Sequence, residues 1–159
     1  DRCSFRVHGK VELRTEFNFA VDPEGAAVVL GAGLPLRLVP LDVTERVVLS
    51  RQAVEEAREF GKLQEFIHDI TEGTIAFHRE HEGFDGMFLH DPLAVGVVLD
   101  PSLVRTQPMA VTVERRGELT SGMAVVDLRR RSRAPKTVVV CSEVESARFL
   151  HLFGQRVLH

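Results

Sequence analysis

The chain has 159 residues, of which 44% are hydrophobic and 27% charged, a composition typical of one globular domain with a buried core. The net charge of −3 argues against nucleic acid as the main partner, and no apolar run approaches the roughly 18 residues that a membrane span needs. The two cysteines, Cys3 and Cys141, fit no metal or redox spacing. We therefore expect two thiols in a reducing compartment, and a cytoplasmic protein.

The first clear structural pattern is a helix followed by a strand. Asp22-Pro23 predicts a helix start, with Asp22 as N-cap and Pro23 at the first helical position, and Gly31 and Gly33 end this helix. Residues 36–41 then form an apolar run typical of a short strand. This order indicates an α/β fold, with part of a mixed β-sheet flanked by helices.

Three more helices are predicted in the middle of the chain, over residues 52–60, 62–81 and 91–99. Ser50 would cap the first, and Asp91 would cap the third in the way that Asp22 caps its helix. The last third predicts strands at residues 109–114, 123–128 and 137–141, a hairpin loop over residues 115–122, and a final helix over residues 143–158. We expect residues 1–159 to form a single domain.

A basic run lies between the last two predicted strands, and its members are Arg129, Arg130, Arg131, Arg133 and Lys136. A solvated hairpin loop and an anion-binding patch both account for it.

The most unusual local sequence is His90-Asp91 at a predicted helix N-terminus, after a glycine-containing loop. Helix N-termini present unpaired N–H groups and a positive dipole end. A carboxylate is a hard oxygen ligand suited to Ca²⁺ or Mg²⁺, and an imidazole exchanges protons near neutral pH. A capping aspartate beside an ordinary loop histidine is the simpler explanation.

Two weaker candidates accompany it. Glu16 and Asn18 are two residues apart, so in an extended segment they would point to one face and could grip sugar hydroxyls. A solvated strand edge would look the same. His78 and His81 share a helix face and could bind a transition metal together with His90, although a charged helix end also explains them.

Taken together, several segments resemble the inosine–uridine preferring nucleoside hydrolases. The resemblance covers residues 9 to 153, and the matching motifs, in chain order, are Glu16-Phe17-Asn18, Val21-Asp22-Pro23-Glu24, residues 30–35, Val39-Pro40-Leu41-Asp42-Val43-Thr44, Phe88-Leu89-His90-Asp91-Pro92-Leu93-Ala94-Val95, Asp100-Pro101-Ser102-Leu103, Arg116-Gly117-Glu118-Leu119-Thr120 with Gly122, and Arg148-Phe149. The fold implied is the C-terminal part of a nucleoside hydrolase domain.

The resemblance implies hydrolysis of the N-glycosidic bond of purine and pyrimidine ribonucleosides to ribose and free base, as in nucleoside salvage. In the family, Ca²⁺ holds the ribose diol and a water that a family aspartate activates. By the matching positions, Asp91 would bind Ca²⁺ and ribose, and His90 would protonate the departing base. Glu16 and Asn18 would hold ribose hydroxyls. Stacking on the base would fall to phenylalanines such as Phe77, Phe84 or Phe88, because the chain has no Tyr or Trp.

Two departures qualify this expectation. The family's N-terminal aspartate cluster, which supplies most calcium ligands and the catalytic base, has no counterpart in these residues, and Lys10 stands where relatives have a ribose-contacting asparagine. We therefore expect the isolated chain to be inactive, with exposed apolar surface, and homo-oligomers (dimers or tetramers) as is common in the family. The alternative is a degenerate paralogue that acts as a binding or oligomerisation module.

Overall fold

The computed structural model describes residues 16–129 and 134–159. The helices, in chain order, are α1 (Phe17–Val21), α2 (Pro23–Gly31), α3 (Leu41–Thr44), α4 (Arg51–Ala57), α5 (Lys62–His81), α6 (His90–Leu99) and α7 (Ser146–Phe153). The strands are β1 (Leu36–Leu38), β2 (Val48–Ser50), β3 (Gly86–Phe88), β4 (Val104–Met109), β5 (Val111–Val113), β6 (Ala124–Val126) and β7 (Val138–Val144). Short 3₁₀ turns cover Arg58–Phe60 and Pro101–Leu103, and a π-helical turn covers Gly154–Leu158.

The chain forms two compact units. The first contains, among the described residues, 16–40, 106–129 and 134–141. The second contains residues 41–105 and 142–159. Cys3, Lys10 and three arginines of the basic run (Arg130, Arg131 and Arg133) lie outside the described residues.

The first unit is organised around short strands. Strand β7 lies between β1 and β4, and β1 pairs with β7 in parallel, with Leu36 opposite Val138. Strands β5 and β6 form a separate antiparallel pair. The core is built from β-branched residues of these strands and from larger side chains that cover them, namely Val111, Val138 and Val140 with Leu30, Leu36, Leu38, Met109 and Val126.

The second unit is organised around an antiparallel pair. Strand β2 pairs with β3, with Val48 opposite Phe88 and Ser50 opposite Gly86. A side chain at Gly86 would place its Cβ 2.6 Å from the Leu49 carbonyl oxygen, so glycine permits this close pairing. The long helix α5 packs on β3 and on α4. The fully buried side chains of this unit include Val43, Val47, Ile75, Leu93, Val97 and Leu103.

The structure confirms the α/β class, with parallel and antiparallel strand pairs flanked by helices. Helix α5 has the predicted bounds. Asp22 caps α2 by accepting a bond from the Gly25 amide, and Ser50 caps α4 by accepting one from the Ala53 amide. Strong local signals were therefore sufficient for these elements.

Three local predictions were wrong, and one strand was missed. The strand predicted over residues 36–41 ends at Leu38, because Pro40 has no N–H for a ladder and Leu41 begins α3. The final helix begins at Ser146 rather than residue 143, since β7 continues to Val144. Strand β4 was missed, because its residues are mostly exposed and show no apolar alternation. The basic run does not close a hairpin, since β6 pairs with β5 and β7 pairs with β1 and β4.

Candidate active site

The His90-Asp91 motif lies in the first turn of α6. The helix begins at His90, because the Leu89 carbonyl accepts the first helical hydrogen bond from the Leu93 amide at 3.1 Å. Leu89 is therefore the N-cap, and it makes no side-chain capping bond. The prediction that Asp91 caps this helix was wrong, because the helix starts before it. The Asp91 carboxylate is exposed, near the positive end of the helix dipole.

The position of His90 follows from the pairing of β2 with β3. Beyond the ladder, the Leu89 amide donates to the Val47 carbonyl at 3.0 Å, which brings the residues before β2 beside those after β3. Thr44 Oγ1 lies 2.7 Å from His90 Nδ1. Thr44 is 3% exposed, and His90 is half-buried. The imidazole is therefore held by a buried hydroxyl 46 residues away in sequence.

A chain of aromatic contacts leads to this histidine through Phe88, and this aromatic cluster consists of His78, Phe84, Phe88 and His90. His78 stacks on Phe84 at 4.9 Å between ring centroids, Phe84 contacts Phe88 at 4.8 Å, and Phe88 contacts His90 at 5.6 Å. His78 Nδ1 lies 3.0 Å from the Gly86 carbonyl oxygen. A carbonyl only accepts, so Nδ1 of His78 carries a proton, and in the neutral ring Nε2 is an acceptor. Flat apolar faces with polar ring edges suit a nucleobase.

Phe77, the third phenylalanine considered for base stacking, contacts this cluster at His78, with the ring centroids 6.0 Å apart, at the end away from His90. Its ring is half exposed and stacks on His81 at 4.4 Å. Among the three, the structure thus associates Phe84 and Phe88 with His90.

Glu16 and Asn18 lie in the first unit, at the start of α1. The prediction of an extended segment was wrong: Glu16 is the N-cap of α1 and accepts a bond from the Phe19 amide at 3.1 Å. The two polar side chains nevertheless meet, because Asn18 Nδ2 donates to the Glu16 carboxylate at 2.9 Å. Capping, rather than strand alternation, brings them together.

A groove of about 390 Å³ lies beside Asn18 in the first unit. Its polar residues are Asn18, Asp22 and Arg37, and the rest of its lining is apolar. The structure thus places Glu16 with Asn18 in the first unit, and His90 with Asp91 in the second.

The zinc alternative built on His78, His81 and His90 does not match the described part of the chain. His81 Nδ1 is bonded to the Phe77 carbonyl at 3.1 Å, while His78 and His90 are bonded elsewhere. Within residues 16–129 and 134–159, one group brings three metal-type ligands within 4.8 Å of one another, and it consists of Glu55, His68 and Glu72.

The sequence analysis did not predict the group of Glu55, His68 and Glu72. The i, i+4 spacing of His68 and Glu72 places these two residues on one helix face and could have indicated part of it. Arg51 contacts both of its carboxylates, at 3.6 Å for Glu55 and 2.9 Å for Glu72, and contacts Asp85 at 3.1 Å. The positive charge that a metal ion would bring to these carboxylates is already supplied by the guanidinium of Arg51. The group is an ion-pair network that joins α4 to α5, and a bond to Asp69 raises the pKa of His68.

A calcium site does not form from the described residues alone. Ca²⁺ takes six to eight oxygen ligands. Asp91 offers one exposed carboxylate, and it does not belong to the three-ligand group found among residues 16–129 and 134–159. One carboxylate is too few to retain the ion.

Two other family-type segments have defined local structure. The Glu114 carboxylate accepts hydrogen bonds from the Arg116 and Gly117 amides in the loop between β5 and β6. These bonds lower the pKa of Glu114, and the bond from the Arg116 amide has the larger effect. Asp100 accepts bonds from the amide and the hydroxyl of Ser102. The hydroxyl of Ser102 is the main cause of the lowered pKa of Asp100.

Comparison with known proteins assigns the chain to a family. The sequence profile of the inosine-uridine preferring nucleoside hydrolases matches residues 3–151. The chain belongs to this nucleoside hydrolase family. The resemblance seen in the sequence motifs is thereby confirmed, as is the match to the C-terminal half of its relatives.

Individual nucleoside hydrolases align over almost the whole chain. The pyrimidine-specific ribonucleoside hydrolase RihA of Klebsiella pneumoniae is 31% identical over 94% of this chain and 49% of its own length. A probable ribonucleoside hydrolase of Dictyostelium discoideum is 32% identical over 91% and 44%. The solved purine-preferring ribonucleoside hydrolase from Gardnerella vaginalis is 34% identical, with a TM-score of 0.81 over 91% of this chain and 46% of that protein.

The chain spans about half the length of the curated relatives it matches. Its fold is correspondingly a partial nucleoside hydrolase fold. None of the helices in the described part of the chain is long and apolar enough to cross a membrane.

Proposed function

We propose that this chain provides the leaving-group side of a site that hydrolyses the N-glycosidic bond of purine and pyrimidine ribonucleosides. The observation that carries the proposal is the imidazole of His90, held by Thr44 and flanked by Phe88, at the residue before an exposed aspartate in the first turn of α6. Membership of the family supplies the reaction class.

His90 is assigned to the leaving base. Cleavage of the bond between C1′ of ribose and the base nitrogen leaves the electron pair on the base, and a proton donor stabilises that departing group. The ribosyl carbon meanwhile develops oxocarbenium character and is captured by water. An imidazole beside aromatic rings suits this role, because the base can stack while its nitrogen faces a ring N–H.

Asp91, Glu16 and Asn18 are assigned to the sugar side. Carboxylate and amide groups accept and donate hydrogen bonds to ribose hydroxyls. We infer that Asp91 also contributes a carboxylate to Ca²⁺ and that the remaining ligands come from residues other than those described. The bonded pair of Glu16 and Asn18 presents an acceptor and a donor together, as a diol requires.

The whole of residues 1–159 is inferred to be a single domain, equivalent to the C-terminal part of a nucleoside hydrolase domain, in a cytoplasmic protein. The chain by itself is expected to be inactive, because its described residues do not complete a calcium site. Homo-oligomerisation as a dimer or tetramer is supported by large apolar side chains exposed on α6, among them Val95, Val98 and Leu99.

The same exposed side chains also favour the alternative, a non-catalytic paralogue that acts as a binding or oligomerisation module. One assay separates the two functions. The natural polypeptide, with any residues that precede Asp1, is tested for release of ribose from inosine and uridine with and without Ca²⁺. Light scattering on the same sample gives the oligomeric state.

Substitutions then test the assigned residues. We expect Asp91→Ala to abolish turnover and His90→Ala to lower it by roughly 10²- to 10⁴-fold, the range of general acid catalysis. His81→Ala is the matched control, because this exposed histidine lies outside the aromatic cluster, and it should leave turnover unchanged. Turnover indifferent to His90 and Asp91 would overturn the site, and a natural polypeptide without turnover would support the non-catalytic module.

A further inference from the structure

The Thr44 hydroxyl differs from that of another buried threonine, Thr71, in its hydrogen-bond partner. Thr71 of the second unit donates to the Ile67 carbonyl one helical turn earlier, at 2.8 Å. Thr44 is equally buried, yet in the part of the chain that the structure describes its hydroxyl has one hydrogen-bond partner, the Nδ1 atom of His90. A buried hydroxyl proton needs an acceptor, and among residues 16–129 and 134–159 Nδ1 of His90 is the acceptor that Thr44 contacts.

We propose that Thr44 is a positioning residue that fixes the tautomer and orientation of His90. Its O–H donates to Nδ1, so the neutral ring carries its proton on Nε2. The proposal rests on the proposed function for its catalytic meaning, but the tautomer itself is a property of this chain alone.

The hydroxyl suits a histidine that serves as a donor. In the neutral ring Thr44 donates to Nδ1, and in the protonated ring the hydroxyl rotates and accepts from Nδ1–H. Nε2 therefore carries a proton in both states, and the ring offers an N–H to the leaving base in either. The 2.7 Å contact also holds the ring plane, because Thr44 is fixed by burial at the end of α3.

The neighbouring His78 provides an internal contrast. Its Nδ1 faces the Gly86 carbonyl, which forces the proton onto Nδ1 and makes Nε2 an acceptor in the neutral ring. The aromatic cluster thus contains two histidines of opposite tautomer. Both contact the ring of Phe88, with centroid distances of 5.4 Å for His78 and 5.6 Å for His90.

Nitrogen-15 NMR of the ring atoms tests the tautomer directly. The 159-residue chain is labelled, and long-range proton–nitrogen correlations are recorded at a pH where free imidazole is neutral, with His78→Gln and His90→Gln spectra to assign the rings. We expect Nδ1 of His90 to have the shift of an unprotonated nitrogen and Nδ1 of His78 that of a protonated one. A protonated Nδ1 on His90 would overturn the proposal.

Variants of Thr44 make the test specific. Thr44→Val, of nearly equal shape, should convert His90 to a mixture of tautomers, whereas Thr44→Ser should keep the wild-type pattern. Thr71→Val is the matched control and should leave the His90 signals in place. An unchanged His90 tautomer in Thr44→Val would refute the role of the hydroxyl, and the Thr44→Ser result stands even if the valine variant fails to fold.

Turnover by the natural polypeptide separates the two proposals. We expect Thr44→Val to lower kcat for inosine by roughly 10- to 100-fold, with restoration in Thr44→Ser, as for other residues that orient an active-site histidine. A 4-nitrophenyl riboside, whose leaving group needs no proton, should be far less affected. Loss of turnover in His90→Ala but not in Thr44→Val would reject the positioning role, whereas indifference to both would reject the proposed function and leave the tautomer result intact.

Discussion

Replacing Gly96 by alanine should destabilise the second unit by pressing α6 against α7. A Cβ built at Gly96 lies 2.6 Å from Cε2 and 2.9 Å from Cδ2 of Phe149, a ring that is 2% exposed. Ordinary contact begins near 3.4 Å, so the ring must move by almost 1 Å inside a packed core. Overpacking of this kind costs about 1–3 kcal/mol, and the gain in helix propensity from glycine to alanine offsets about 1 kcal/mol of it.

Gly73→Ala supplies the matched control. Gly73 lies in the interior of α5, and a Cβ there meets nothing within 4 Å, so only the propensity gain of about 1 kcal/mol applies. The free energy of unfolding should therefore rise by about 1 kcal/mol in Gly73→Ala and fall by as much as about 2 kcal/mol in Gly96→Ala. The difference between the two variants isolates the steric contribution, because the propensity contribution is common to both.

Urea unfolding followed by far-ultraviolet circular dichroism is the appropriate assay, since the chain has no Trp or Tyr to report by fluorescence. Combining Gly96→Ala with Phe149→Leu should recover part of the loss, since the smaller side chain removes the atoms that the new Cβ meets. Equal stability of Gly96→Ala and Gly73→Ala would refute the packing of α6 on α7 described above.

Two predictions concern pH. The pKa of Glu114 is lowered in the folded chain by the Arg116 amide, so its contribution to stability is present above the ordinary value of 4.5 and is lost as the pH falls. Glu114→Gln should therefore flatten the acid limb of the urea midpoint between about pH 5 and 3. The pKa of His68 is raised, chiefly by Asp69, so its contribution is present below the ordinary value of 6.5 and is lost as the pH rises through the folded value. His68→Gln should make the urea midpoint less dependent on pH above that point, and an unchanged pH profile in either variant would contradict the hydrogen bonds assigned to it.

The sequence predicted the helix starts at which the capping side chain and its amide partner are close in sequence. The carboxylate of Asp22 and the hydroxyl of Ser50 each satisfy an amide three residues later, so the sequence alone contains both partners. Glu16 also accepts a bond from an amide three residues later, that of Phe19, but glutamate is not among the residues preferred at N-caps. The capping role of Glu16 was therefore not predictable from this rule.

The contacts that define the site could not be predicted in this way. Thr44 and His90 are 46 residues apart, and they meet because β2 and β3 pair in one register. Arg51 reaches Glu72 and Asp85 by the same tertiary packing. Family motifs named His90 and Asp91 as site residues, but nothing local to them indicates which hydroxyl holds the imidazole.

Three Asp-Pro pairs in the chain show how tertiary structure alters the meaning of one dipeptide. At the first and third, the aspartate is the N-cap: Asp22 accepts from the Gly25 amide at 2.8 Å and Asp100 from the Ser102 amide at 3.0 Å. At the second, the Leu89 amide bonds to the Val47 carbonyl before β2, and α6 starts two residues earlier, at His90. Asp91 therefore lies inside the helix and does not cap it.

The three aspartates should therefore respond differently to the same substitution. Asp22→Ala should lower the free energy of unfolding by about 1 kcal/mol, as expected for loss of an N-cap, and Asp100→Ala should also destabilise. Asp91→Ala should leave stability nearly unchanged while it removes turnover from the natural polypeptide. If Asp91→Ala were instead as destabilising as Asp22→Ala, its carboxylate would be serving the helix, and the reason for assigning it to sugar and calcium would disappear.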